Sequence, residues 1–110
     1  MSTDIVPCVT NPQALERLHQ CLETGDIILS SHFKRELSNE RIQFEDAWTV
    51  LRYGHIYDPP EEDTRSAEWK YRVEGHEPGG KWIAVVFSFK TVTRANLITI
   101  FSVKAKGKRR

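Results

Sequence analysis

WIAVVFSF, residues 82–89, is almost continuous apolar sequence, the pattern of a central strand covered on both faces. The elements on either side follow from it. Residues 91–95 turn the chain, and NLITIFSV, residues 96–103, predicts a second central strand. Upstream, EWKYRVE, residues 68–74, alternates charged and apolar side chains, so this strand has one buried and one exposed face. Residues 75–81 contain Pro78-Gly79-Gly80 and form the turn between the two. Strands joined by such short connections make an antiparallel meander. HIY, residues 55–57, adds a short edge strand that ends at Asp58-Pro59-Pro60, because proline donates nothing to a ladder.

Ahead of the strands the apolar spacing becomes helical. Asn11-Pro12 followed by Leu15, Leu18 and Leu22 predicts a capped amphipathic helix that Gly25 ends. Residues 27–29 are extended. Ser30 or Ser31 then caps a short helix reaching to about Asn39, with Phe33 and Leu37 toward the core and His32, Arg35 and Glu36 on neighbouring surface. Phe44, Ala47, Trp48 and Leu51 stand at i, i+3, i+4 and i+7 of a third helix, with an acidic first turn and Gly54 as its stop. Helices first and strands afterwards predict an α+β domain, its N-terminal helices packed on a mostly antiparallel sheet of three or four strands.

With 110 residues, 39% of them hydrophobic, the chain suits one compact core. The formal charge of +1 makes no overall demand for a polyanionic partner, but the last seven residues carry Lys104, Lys106, Lys108, Arg109 and Arg110 without an acid. Cys8 and Cys21 form no CxxC pattern, so neither a disulfide framework nor a zinc ribbon is expected. There is no leader pattern and no apolar run of spanning length, which predicts a soluble cytoplasmic protein without a membrane partner.

The candidate chemistry lies in four places: Arg35 on the second helix, Lys70 and Arg72 on one face of the first long strand, and Lys104 after the last. If they converge, fixed cations of this kind stabilise the charge that accumulates on a phosphodiester in its transition state. His32 and His76 are the candidates for proton transfer, and Tyr71 for stacking on a base. The competing reading is a solvated strand face on which Glu68, Arg72 and Glu74 pair among themselves. His19, His32, His55 and His76 lack metal-ligand spacing, no phosphate-binding glycine loop occurs, and no histidine supports either cysteine as a nucleophile. No cofactor is expected.

Residues 27–104 combine an apolar pair, Ser-x-His at Ser30 to His32, Arg35 three residues on, Arg41-Ile42, a helix ending in Gly54, Tyr71-x-Val73-x-Gly75 and two apolar strands. This order resembles a small family of unknown function found in bacteria and their mobile elements, itself similar in fold to the BrnT, MqsR and RelE toxins. The resemblance implies a single RelE- or BrnT-like domain over residues 1–110, with 1–25 an added N-terminal helix and 105–110 a basic tail. It implies a metal-independent endoribonuclease of a toxin-antitoxin pair, with RNA as substrate, free or on the ribosome, and an antitoxin bearing an acidic segment as partner. His32 and Arg35 match the family's His and Arg, Tyr71 and Gly75 its strand motif, and Lys104 the basic position after the last strand. The alternatives are a non-catalytic module that binds RNA or protein through the same surface, and a structural component of a phage or plasmid assembly.

Overall fold

Helix formation begins one residue earlier than the Asn11-Pro12 pair suggests. In the computed structural model, which describes residues 6–103, helix α1 (Asn11–Thr24) is capped by Thr10 rather than Asn11. Thr10 Oγ1 accepts from the Gln13 N–H, and the Gln13 side chain accepts from the Thr10 N–H. This reciprocal Thr-x-x-Gln box satisfies two donors at once, which an Asn cap would not. Asn11 is thereby released to tie the helix to a distant loop, its Nδ2 donating to the Asp58 carbonyl at 3.0 Å. Gly25 ends the helix as expected.

Strand β1 (Asp26–Leu29) leads into α2 (Ser31–Asn39), which Ser30 caps by accepting from the Phe33 N–H. A turn buries Ile42 and gives way to α3 (Phe44–Tyr53), stopped by Gly54. The strands β2 (His55–Ile56), β3 (Glu61–Glu62), β4 (Trp69–His76), β5 (Trp82–Thr91) and β6 (Arg94–Val103) follow. The sheet order is β1-β6-β5-β4-β2, with β3 also paired to β4, and every pair is antiparallel except β1 with β6.

Among the described residues the sheet therefore has six strands, not three or four. β1 finds its parallel partner 68 residues away, a pairing no local pattern announces. β3 consists of two glutamates, poor strand formers that pair because they lie opposite Trp69 and Lys70.

Period two sorts β4, β5 and β6 into two faces. Tyr71, Val73, Ile83, Val85, Phe87, Leu97 and Ile100 meet Phe33, Val50 and Leu51 of the helices in one core. α1 supplies Ala14, Leu18 and Cys21 to the same core, so it forms one wall of the domain. Burying a side chain such as Leu18 or Phe33 contributes about 1.5–3 kcal/mol. The opposite face bears Lys70, Arg72, Glu74 and His76 from β4, Trp82, Ala84, Val86 and Ser88 from β5, and Thr99 and Phe101 from β6. No helix among the described residues covers it. The two-sided burial expected for β5 thus holds on the helix side only: opposite, Ala84 and Ser88 are buried while Trp82 and Val86 are half-exposed.

An extra residue in β6, Ile98, shifts the register against β5. Ser30 uses the bulge, its N–H donating to the Leu97 carbonyl and its hydroxyl to the Ile98 carbonyl. α2 then lies beside β6, where the Glu40 carboxylate accepts from both the N–H and the hydroxyl of Ser102. A side chain, not a strand, occupies that part of the sheet edge.

Candidate functional site

The helix-free face is built around β4. Lys70, Arg72, Glu74 and His76 are alternate residues, so all four leave the strand on this side. Glu74 is fully buried. One of its carboxylate oxygens accepts from Arg72 Nε at 2.9 Å and the other from Trp82 Nε1 at 2.9 Å. The Arg72 guanidinium reaches Asp58 Oδ2 at 3.3 Å with another nitrogen and lies 5.6 Å from the Phe101 ring centroid. Two carboxylates and an aromatic face therefore already hold Arg72.

Lys70 is engaged far more loosely, its Nζ 4.0 Å from Asp63 Oδ2. The Asp63 carboxyl is held below its ordinary value, chiefly by the hydrogen bond from the Arg65 N–H, with the Lys70 charge a smaller contributor. His76 is exposed at the end of the row, edge-on to Trp82 at 4.8 Å between ring centroids. Glu68 does not join Arg72. It accepts from Ser88 and from Lys90, at 3.0 and 2.7 Å. Between Asp58, Pro59 and Pro60 of the loop with Glu61 of β3 on one side and the strand residues Lys70, Arg72 and Val86 on the other lies a cleft of about 420 Å³.

The other sequence-predicted residues lie elsewhere. Tyr71 is buried on the helix side, stacked on Phe87 at 5.5 Å, and its hydroxyl accepts from the Val9 N–H at 3.0 Å. Burial pushes that hydroxyl above its ordinary pKa. A base has no access to its ring. His32 and Arg35 are exposed on α2 and contact each other, Arg35 Nη2 to His32 Nδ1 at 3.2 Å. α2 packs along β6, with β5 between β6 and β4, and among the described residues no hydrogen bond or ion pair joins His32 or Arg35 to Lys70, Arg72 or His76. The structure thus sets Lys70, Arg72 and His76 on one face of the sheet, with Lys70 and His76 six residues apart at the two ends of the row, and leaves His32 with Arg35 elsewhere. Lys104 and the basic tail lie outside the described residues.

Two members of the site do not stand out in the sequence. Asp58 there reads as a strand stop, and Trp82 as sheet packing. The signal for Trp82 is its place two residues before Ala84, the register partner of Glu74, which puts an indole N–H beside a carboxylate that must be satisfied.

Among the described residues no group of three or more His, Cys, Asp and Glu is arranged to hold a metal ion, and no helix is long and apolar enough to cross a membrane. Cys8 is exposed, whereas Cys21 is buried and burial raises its thiol pKa. An aromatic disulfide reagent near pH 8 is expected to label Cys8 promptly in the folded protein and Cys21 only after denaturation. Prompt release of two equivalents from the native protein would contradict the packing of α1.

Among the described residues these features define a two-layer α+β domain: three helices on one face of an open, mostly antiparallel sheet, and a polar and aromatic cluster on the other. Residues 29–102, about two thirds of the chain, match the family model DUF4258, described as a domain of unknown function, and the chain belongs to that family. The match begins at the last residue of β1, so α1 lies outside it. No curated protein and no solved structure matches the chain.

Proposed function

We propose that this domain is a RelE-like, metal-independent endoribonuclease toxin that works on RNA through the helix-free face of its sheet. The observation that carries the reading is the row Lys70, Arg72 and His76 on that face, beside half-exposed Trp82 and Phe101. In this reading the 2'-hydroxyl attacks the adjacent phosphorus as His76 takes its proton, the bond from phosphorus to the 5'-oxygen breaks, and the leaving oxygen takes a proton from water. The products are a 2',3'-cyclic phosphate and a 5'-hydroxyl end. Lys104 is, in this reading, the cation for the phosphoryl oxygens, Lys70, six residues along the strand from His76, holds a neighbouring nucleotide, and Arg72 holds the face rigid. His32 and Arg35 grip the RNA away from the scissile bond. An antitoxin with an acidic segment silences the enzyme by covering the lysines.

A second reading draws on the state of Arg72 and Tyr71. With the Arg72 charge matched by Asp58 and Glu74 and the Tyr71 ring buried, fewer groups face a phosphate than the sequence alone implies, which favours a non-catalytic module that holds RNA or an acidic protein.

Tightly controlled expression separates the two. The wild type is expected to arrest growth and to leave RNA fragments ending in cyclic phosphate, and the purified protein to cut RNA in excess EDTA. His76→Ala should lower the cleavage rate about 10²–10⁴-fold while RNA binding persists. Normal growth and intact RNA with a folded, antitoxin-free wild type would overturn the nuclease reading. RNA retention that weakens in Lys70→Ala would then support the module.

A further inference from the structure

The cleft beside Lys70 contains two opposite charges that do not meet. Glu61 of β3 and Lys70 of β4 are register partners, the arrangement in which a carboxylate and an ammonium ordinarily pair. Here Lys70 leans toward Asp63, and the exposed carboxylate of Glu61 makes no hydrogen bond or ion pair among the described residues. Both line the cleft, whose remaining surface includes Pro60 and Val86. Its volume of about 420 Å³ falls in the range of small-ligand pockets. Asp58 and Arg72, also in its wall, are bound to each other. What the cleft offers is thus a carboxylate and a cation side by side against apolar surface.

A planar ring with two adjacent donors followed by an acceptor matches that pair. Among the four RNA bases only guanine has this edge: N1–H and N2–H fill both oxygens of one carboxylate, and O6, next to N1, receives a cationic donor. Adenine and cytosine each present a single donor group on this edge, and uracil a single donor between two acceptors. We propose that the cleft is a guanine-binding subsite, with Glu61 accepting from N1–H and N2–H, Lys70 donating to O6, and the ring lying against Pro60 and Val86. This rests on the RNA reading for the source of the base and names the base that RNA would place there.

The test is titration of the full chain with the 5'-monophosphates of guanosine, inosine, adenosine, cytidine and uridine, followed by amide chemical shifts. Guanosine monophosphate is expected to bind about tenfold more tightly than the adenosine, cytidine and uridine nucleotides, with shifts at residues 58–62 and 70, and inosine, lacking the N2 amine, to fall between. In Glu61→Gln the preference should vanish; Glu61 is exposed on a two-residue strand, so the change leaves the core alone. Equal binding of all the nucleotides, no binding at millimolar concentration, or a preference that survives Glu61→Gln each overturns the proposal. RNA cleavage without guanine preference would sink the subsite alone, and guanine preference with intact RNA would sink the nuclease alone.

Discussion

Glu74→Ala is expected to lower the unfolding free energy by about 3–5 kcal/mol, the usual cost of removing one partner from a buried ion pair. Glu74 is fully buried although no described helix covers its face, so its carboxylate depends on Arg72 and Trp82 for compensation. The dependence runs both ways. The Arg72 side chain is 20% exposed, and without Glu74 its remaining carboxylate is Asp58 at 3.3 Å, while the Trp82 indole loses its acceptor. Against a typical total of about 5–15 kcal/mol for a small domain, the loss is large. Urea denaturation measures it directly. Glu74→Gln keeps an acceptor and should recover part of the loss. A Glu74→Ala protein within about 1 kcal/mol of wild type would mean that Asp58 and solvent suffice for Arg72.

The second large effect concerns space where the chain leaves α3. A Cβ on Gly54 would stand 2.5 Å from the Glu74 carbonyl oxygen and 2.6 Å from that of Val50. The φ of Gly54 is −78°, ordinary for any residue, so glycine is required here for room and not for backbone freedom. Neither obstacle can retreat: Val50 lies in α3, and Glu74 is held in register with His55. Overpacking costs about 1–3 kcal/mol where side chains can shift, and Gly54→Ala should reach or exceed the top of that range in a thermal or urea melt because both obstacles are backbone. Gly79→Ala is the control. Its added Cβ meets only the carboxylate end of Glu77, a flexible group, and should cost under about 1 kcal/mol. Equal losses at the two glycines would contradict the close approach of α3 to β4.

What can be read from the sequence divides by the range of the interactions concerned. The three helices and the three long strands are legible because their apolar periods persist over eight residues or more and are punctuated by Gly25, Gly54 and Pro78-Gly79-Gly80. β1 and β3 as sheet members are not, since four residues and two carry no period and their pairing depends on distant partners. The shared face of Lys70 and Arg72 follows from alternation, and the same alternation assigns Tyr71 to the side of Trp69 and Val73, where its ring is buried. Pairing of Arg72 with Glu74 is the competing reading that the sequence itself offers, whereas Asp58 enters only because Asn11 and the loop bring it over β4. Arg35 and Lys70 both look available in the sequence, yet strand order separates them.

The parallel β1–β6 pair also sets a timetable. β1 is synthesised early, but the strand it pairs with begins at Arg94, and closing a loop of 68 residues costs roughly 4 kcal/mol of chain entropy before any contact rewards it. During synthesis the β4–β5 hairpin can form from neighbours in sequence, while α2 has no β6 to rest on until the last strand leaves the ribosome. Such non-local closure places the rate-limiting step late and makes folding slow for a chain of this size. A messenger truncated within β6 would therefore yield a chain without its sheet edge, exposed to proteolysis, and any activity of this domain would begin only once β6 has left the ribosome.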